Sequence, residues 1–199
     1  MLLSLCEFIL GGMLLTTENG GYRMAAFLDE QHMHHLYEKF ILEYYRCHFP
    51  ALGANPDPVN WALPQGQNRQ QLPRMQTDIT LHGDSAVLVI DAKFYRQTMQ
   101  HIAAFDSTTL RSAHLYQILT YVKNMAAELK CANKTVSGMV LYAKTDEAVQ
   151  PDTECQICGS SISMKTLDLN QDFSKIAAAL DFITEDYFGA AVRAARRAG

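Results

Sequence analysis

The 199-residue chain contains no apolar run long enough to span a bilayer. The most apolar stretch, Met1–Leu15, is interrupted by Glu7, has no basic residues ahead of it, and falls short of the roughly 20 residues a span needs. It reads as a buried helix, and neither a membrane protein nor a secretory leader is expected. Cysteines are few and odd in number: Cys6, Cys47, Cys131, Cys155 and Cys158, mostly in apolar or helical-looking segments. That argues against a disulfide framework and fits free thiols in a reducing cytoplasm. Cys155-x-x-Cys158 supplies two thiols where structural zinc requires four ligands, so no zinc is expected there. A Walker-type glycine-rich loop is also missing, which argues against nucleotide hydrolysis by the chain itself. No internal repeat or long low-complexity tract is found.

A positive net charge is missing as well, since the balance is −4. It is unevenly spread. Between Asn68 and Lys134 eight basic residues face five acidic ones, and the rest of the chain is correspondingly acidic. This local excess is too small to hold a polyanion strongly by charge alone, so a partner or further domain is expected to help.

With 48% hydrophobic residues the chain has enough apolar surface for a core. Residues 1–199 read as a single domain, with an N-terminal segment over 1–28, a long loop over 50–73 and a tail over 189–199. Asp29 to about His48 has Leu36, Phe40, Ile41, Tyr44 and Tyr45 at helical spacing. The segment from Pro50 to Pro73 holds five of the six prolines and reads as irregular. A hairpin follows: Met75–Leu81, a turn around His82-Gly83-Asp84-Ser85, then Ala86–Tyr95. Thr109–Cys131 reads as a helix capped by Ser107 or Thr108. Val136–Ala143 is a third strand, Gln150–Ser160 a polar loop, Ser161–Leu169 a further strand, and Asp172–Phe188 an amphipathic closing helix. In that helix Phe173, Ile176, Leu180 and Ile183 fall on one side. This order implies an α/β layer structure with a mixed central sheet flanked by helices.

The hairpin carries three charges of interest. Alternation along a strand points Asp91 and Lys93 to the same face. With Leu81 opposite Ala86, Asp78 falls opposite Val89 and diagonal to Asp91 on that face. Diagonal neighbours lie roughly 7–8 Å apart, close enough for two carboxylates to share one cation. The strand Val87-Leu88-Val89-Ile90 is apolar on both faces, the mark of a central strand. Charges at its end are costly without partners. Asp78 and Asp91 suit Mg²⁺ or Mn²⁺, which polarise phosphate and acidify water, and Lys93 is placed to orient that water or steady developing charge. On spacing alone the three also read as a structural ion-pair cluster at a sheet end. The flanking helices add Gln117 and Tyr121, one turn apart on a shared face and suited to bonding a phosphate or fixing Lys93. Glu38 of the first helix can reach the same centre.

Together these residues resemble the PD-(D/E)XK nuclease superfamily, with its restriction-endonuclease-like core. The Gln117-x-x-x-Tyr121 helix resembles the accessory motif of the branch containing the RecB-type nucleases. Leu36-Tyr-Glu-Lys-Phe40, Met75-Gln-Thr-Asp-Ile79, Ile90-Asp-Ala-Lys-Phe-Tyr95 and Gly138-Met-Val-Leu-Tyr142 together look like the McrC family, over about residues 1–188. McrC is the nuclease subunit of the 5-methylcytosine-specific McrBC restriction system. The resemblance implies metal ligands at Asp78, Asp91 and Glu38, a catalytic lysine at Lys93, and supporting roles for Gln117 and Tyr121. It implies DNA as substrate and a McrB-like GTPase as partner. McrC proteins carry an extra N-terminal portion that engages McrB, whereas this chain begins almost at the nuclease part. Thr77 stands where the superfamily has a proline. Cleavage of both strands calls for two active sites, so self-association is a further expectation. The competing readings are a RecB-like repair or recombination nuclease and a non-catalytic DNA-binding remnant. His32, His34 and His35 read as solvated or helix-face residues, and Arg193, Arg196 and Arg197 as a frayed basic tail.

Overall fold

A computed structural model describes residues 30–68, 70–102, 107–189 and 192. The expected N-terminal buried helix, Cys6 and the Arg193–Arg197 tail lie outside these.

The helical spacing after Asp29 becomes α1, Glu30–His48, which buries Tyr37, Ile41, Tyr44 and Tyr45. A short 3-10 turn follows at Pro50–Leu52. The proline-rich connection is irregular apart from β1 (Pro58–Val59), which pairs antiparallel with β2 (Met75–Gln76). Met75 and Gln76 therefore belong to this small ribbon and not to the main hairpin, whose strands are β3 (Ile79–His82) and β4 (Ala86–Lys93). A second ribbon comes next, β5 (Met99–Ile102) with β6 (Ser107–Leu110), then α2 (Ser112–Leu129). The chain continues through β7 (Thr135–Ala143), β8 (Thr153–Ile157), β9 (Ser160–Leu167) and α3 (Phe173–Phe188).

The main sheet has the order β3-β4-β7-β9-β8. β4 runs antiparallel to β3 and parallel to β7, β7 runs parallel to β9, and β8 returns antiparallel. The expected mixed sheet flanked by helices is therefore present. β4 is buried along nearly its whole length because α1 and α3 cover one face and α2 the other. Leu88, Ile90, Met139 and Leu141 face Tyr44, Tyr45 and Leu180, whereas Val87, Val89, Val136 and Val140 face Ile118, Val122 and Met125. Gly138 marks the closest approach of α2: a Cβ there would lie 2.7 Å from both Ile118 Cγ1 and Val122 Cγ2. Among the described residues no helix is long and apolar enough to cross a membrane.

Three expectations need correction. Ser107 and Thr108 do not cap α2; they pair with Ile102 and His101 in the β5–β6 ribbon, and Arg111 is the capping residue without a side-chain bond. The consecutive β-branched Thr108 and Thr109 favour the strand. The polar segment from Gln150 to Ser160 is not a loop, because Thr153–Ile157 forms the edge strand β8. An edge strand exposes one face and needs little apolar sequence. Its turn is Cys158-Gly159, both at positive φ (51° and 76°), as a tight hairpin turn requires. Phe173 is 42% exposed, so the buried side of α3 is Ile176, Leu180 and Ile183 without it.

Candidate active site at the end of strand β4

The register of the hairpin decides how its carboxylates meet. Leu81 pairs with Leu88, not Ala86, and Ile79 pairs with Ile90. This is a shift of two residues from the expected pairing. Gly83 is not at the turn tip: its N–H donates to Ala86 O at 2.8 Å, leaving Asp84-Ser85 as the turn. Glycine is needed there because a Cβ would come within 2.6 Å of the Phe188 ring of α3. A two-residue shift keeps every side chain on its face. The ladder ends at the Ile79–Ile90 pair, and Asp78 stands just outside it, close enough to Asp91 for each charge to act on the other.

Asp78 closes the ladder with its side chain, since its Oδ2 accepts from Ala92 N at 2.9 Å. Asp91 is fully buried and pairs with Lys93 Nζ at 2.9 Å; apart from that ion pair neither carboxylate oxygen has a hydrogen-bond partner. Burial and the neighbouring Asp91 charge push the Asp78 carboxyl up to about 7, against the opposing pull of Lys93. Burial likewise raises Asp91 in spite of Lys93. Burial pulls the Lys93 ammonium down, but Asp91 and Asp78 outweigh it and hold it charged. One ammonium thus faces one buried and one half-buried carboxylate.

The structure brings Glu38 to the same place from α1. It lines a cleft of about 410 Å³ with His35, Lys39, Gln76, Thr77 and Asp78, and its charge acts on Asp78. Glu38 is not free to converge on the pair, however. His34 Nε2 lies 3.0 Å from one of its oxygens and His35 Nδ1 3.2 Å from the other. Burial alone would raise the Glu38 carboxyl, but those two contacts hold it below the ordinary range. Among the described residues no three His, Cys, Asp or Glu side chains converge on a single point. Asp78 and Asp91 thus lie together beside Lys93, with Glu38 across the cleft. Such a donor set fits Mg²⁺, which takes oxygen ligands, uses one or two carboxylates and keeps several waters. Asp91 Oδ1, buried and outside the Lys93 ion pair, is the acceptor such an ion would satisfy.

Thr77 shows why proline is not needed here. Its N–H donates to Asp57 O at 2.9 Å and its hydroxyl accepts from Asp57 N at 2.8 Å, pinning the strand entry. Gln117 and Tyr121 share a half-buried face of α2, and Gln117 Nε2 donates to Tyr121 Oη at 3.0 Å. Among the described residues neither is hydrogen-bonded to the carboxylates or to Lys93.

The helix side chain that does approach is His114, one turn before Gln117. Its Nδ1 lies 2.9 Å from Tyr142 Oη, and Tyr142 is the lateral neighbour of Lys93 on β7. Burial and the nearby Lys93 charge hold His114 down to about 4, so its ring is neutral. Tyr95, two residues beyond Lys93, is stacked between His114 (5.3 Å, 11°) and His34 (5.7 Å, 28°). His34 is half-buried on the helix face: Phe94 N donates to its Nδ1 at 3.3 Å, and its Nε2 faces Glu38. Sequence reasoning missed this His34-Tyr95-His114-Tyr142 column. The four-residue spacing of His34 and Glu38 was the available signal.

An α/β domain with a mixed five-stranded sheet flanked by helices, and two carboxylates with a lysine at the end of the interior strand β4, is consistent with the restriction-endonuclease-like class. Residues 1–142 match the family described as McrBC 5-methylcytosine restriction system component, and the chain belongs to that family. It is also similar to the type IV methyl-directed restriction enzyme EcoKMcrBC of Escherichia coli (strain K12), at 28% identity over 188 residues, covering 93% of this chain and 52% of the relative. The chain thus spans about half the length of that curated relative.

Proposed function

We propose that this chain is a Mg²⁺-dependent DNA endonuclease domain of the PD-(D/E)XK type, the cutting module of a modification-dependent restriction system. The observation that carries this reading is the under-compensated pair Asp78 and Asp91, whose charges act on each other beside Lys93. In this reading Asp78 and Asp91 hold the cation, while Mn²⁺ is an alternative occupant of the same oxygen set. The bound ion supplies Lewis acidity toward a phosphate oxygen and a more acidic water. Lys93, fixed by Asp91, holds the attacking water and steadies the charge that develops on the phosphate. Glu38, itself positioned by His34 and His35, borders the cleft through which water reaches Asp78. Gln117 and Tyr121 act at a distance, keeping the α2 face rigid behind the strand. Modified-cytosine recognition and GTP hydrolysis fall to a McrB-like partner, and two copies of the domain serve the two DNA strands.

Asp91→Ala tests the reading. With Mg²⁺, GTP and a McrB-like GTPase supplied, the substitution is expected to abolish cleavage of methylated plasmid while the folded state persists. A cleavage rate equal to that of the unaltered chain refutes the catalytic assignment.

A further inference from the structure

Beyond Lys93 the chain turns through Tyr95-Arg96-Gln97, and Arg111 comes up against it from the start of α2. These four residues line a cavity of about 540 Å³ with two guanidinium side chains and, among the described residues, no acidic one in its wall. We propose that this cavity is a phosphodiester subsite, which takes a backbone phosphate of the DNA strand next to the one cut at Asp78, Asp91 and Lys93, with Arg111 as its main contact. The inference rests on the nuclease reading.

The guanidinium of Arg111 is held before any ligand arrives. Its Nη2 donates to Gln97 O at 3.1 Å, and its Nε is enclosed without an acceptor. That leaves Nη1 with no bonded partner among the described residues. A fixed guanidinium loses little freedom on gripping a phosphate oxygen, which is why arginine suits such contacts. Lys93 serves the reacting phosphate beside Asp91, which leaves a neighbouring phosphate to Arg111.

The surroundings agree. Arg111 precedes an 18-residue helix, gives it no side-chain cap, and no acidic residue stands in the first turn. The leading amides of α2 therefore favour an anion at the same end. Tyr95, clamped between His34 and His114, joins the cavity to the carboxylate centre. The charge of Arg111 reaches His114 and Tyr142 there. A strand lying along this edge would have one phosphate at the carboxylates and a neighbouring one at Arg111.

Binding of a fluorescent duplex measured by anisotropy in metal-free buffer, where nothing is cleaved, tests this. Arg111→Ala is expected to weaken binding about tenfold and to reduce the slope of log affinity against log salt by about one, the mark of one lost phosphate contact. Arg111→Gln, which keeps the length of the side chain, is scored in the same way should the alanine variant fail to fold. Mg²⁺ affinity by calorimetry should be unaltered, which separates lost phosphate contact from a damaged metal centre. Unchanged affinity and slope, with the unaltered chain binding duplex, overturn the subsite and leave the nuclease reading standing. No duplex binding by the unaltered chain overturns the subsite, while the nuclease reading is decided by the Asp91→Ala cleavage assay with the partner supplied.

Discussion

Removing one charge from the carboxylate pair should make the protein more stable and inactive at once. Asp78→Asn keeps an oxygen to accept from Ala92 N, and its new N–H₂ can donate toward Asp91, whose oxygens lack hydrogen bonds. In the metal-free chain the Asp78 carboxyl is raised from 3.8 to about 7, chiefly by burial and by Asp91. A raised carboxyl pKa means that the folded state binds the proton more tightly than the unfolded chain. Stability contributed by this group is therefore full below the unfolded value and is lost as pH rises from about 4 to about 7, staying low above that. Three pKa units correspond to about 4 kcal/mol, an upper bound because Asp78 shares its charge with Asp91 and Lys93. Asparagine avoids this loss. Its gain over aspartate is expected to grow between pH 4 and 7, then level off at about 2–4 kcal/mol, roughly 5–10 °C in melting temperature for a domain of this size. Thermal unfolding of both forms in EDTA at several pH values measures it, and a cleavage assay should show that the variant is dead. A gain independent of pH, or none, would mean that Asp78 is not poised against Asp91 as described.

The same titration governs metal binding. Below pH 7 the ion must displace the proton on Asp78, so Mg²⁺ affinity should fall by up to about tenfold per pH unit. Calorimetry in buffers of different ionisation heat should then detect up to one proton released at about pH 6 and almost none at about pH 8.5. Flat affinity across that range counts against Asp78 as a ligand. His34→Ala removes the acceptor of Phe94 N, the Glu38 contact and the stack on Tyr95. It should cost about 1–2 kcal/mol in denaturant unfolding and slow cleavage about tenfold with little change in Mg²⁺ affinity; an unaltered rate would show that the column is not needed for catalysis. Gly138→Ala drives a methyl into Ile118 and Val122, neither of which can withdraw from the core. A loss of about 1–3 kcal/mol is expected by thermal unfolding, and a neutral result would show that α2 packs more loosely than described.

What the residues determined on their own was whatever follows from local periodicity. The apolar run Val87–Ile90 announced a central strand. The 3.6-residue spacing after Asp29 announced α1, and the shared parity of Asp91 and Lys93 held because a strand admits only two faces. The choice of face for Asp78 also survived, since the pairing moved by two residues and not by one. Tertiary packing decided the rest. The hairpin turn settled on Asp84-Ser85, with Gly83 tucked against Phe188 of α3, and so the pairing stands two residues from the one that the sequence suggested. The edge strand β8 was invisible because one exposed face frees a strand from carrying apolar residues, and the β5–β6 ribbon drew Ser107 and Thr108 away from the helix start. His34, Tyr95, His114 and Tyr142 lie far apart along the chain, and beyond the spacing of His34 and Glu38 nothing in the sequence announces the stack of the first three or the His114–Tyr142 hydrogen bond. The charges were written in the order of residues, but the balance among them was set only when helices closed over the sheet and removed the water.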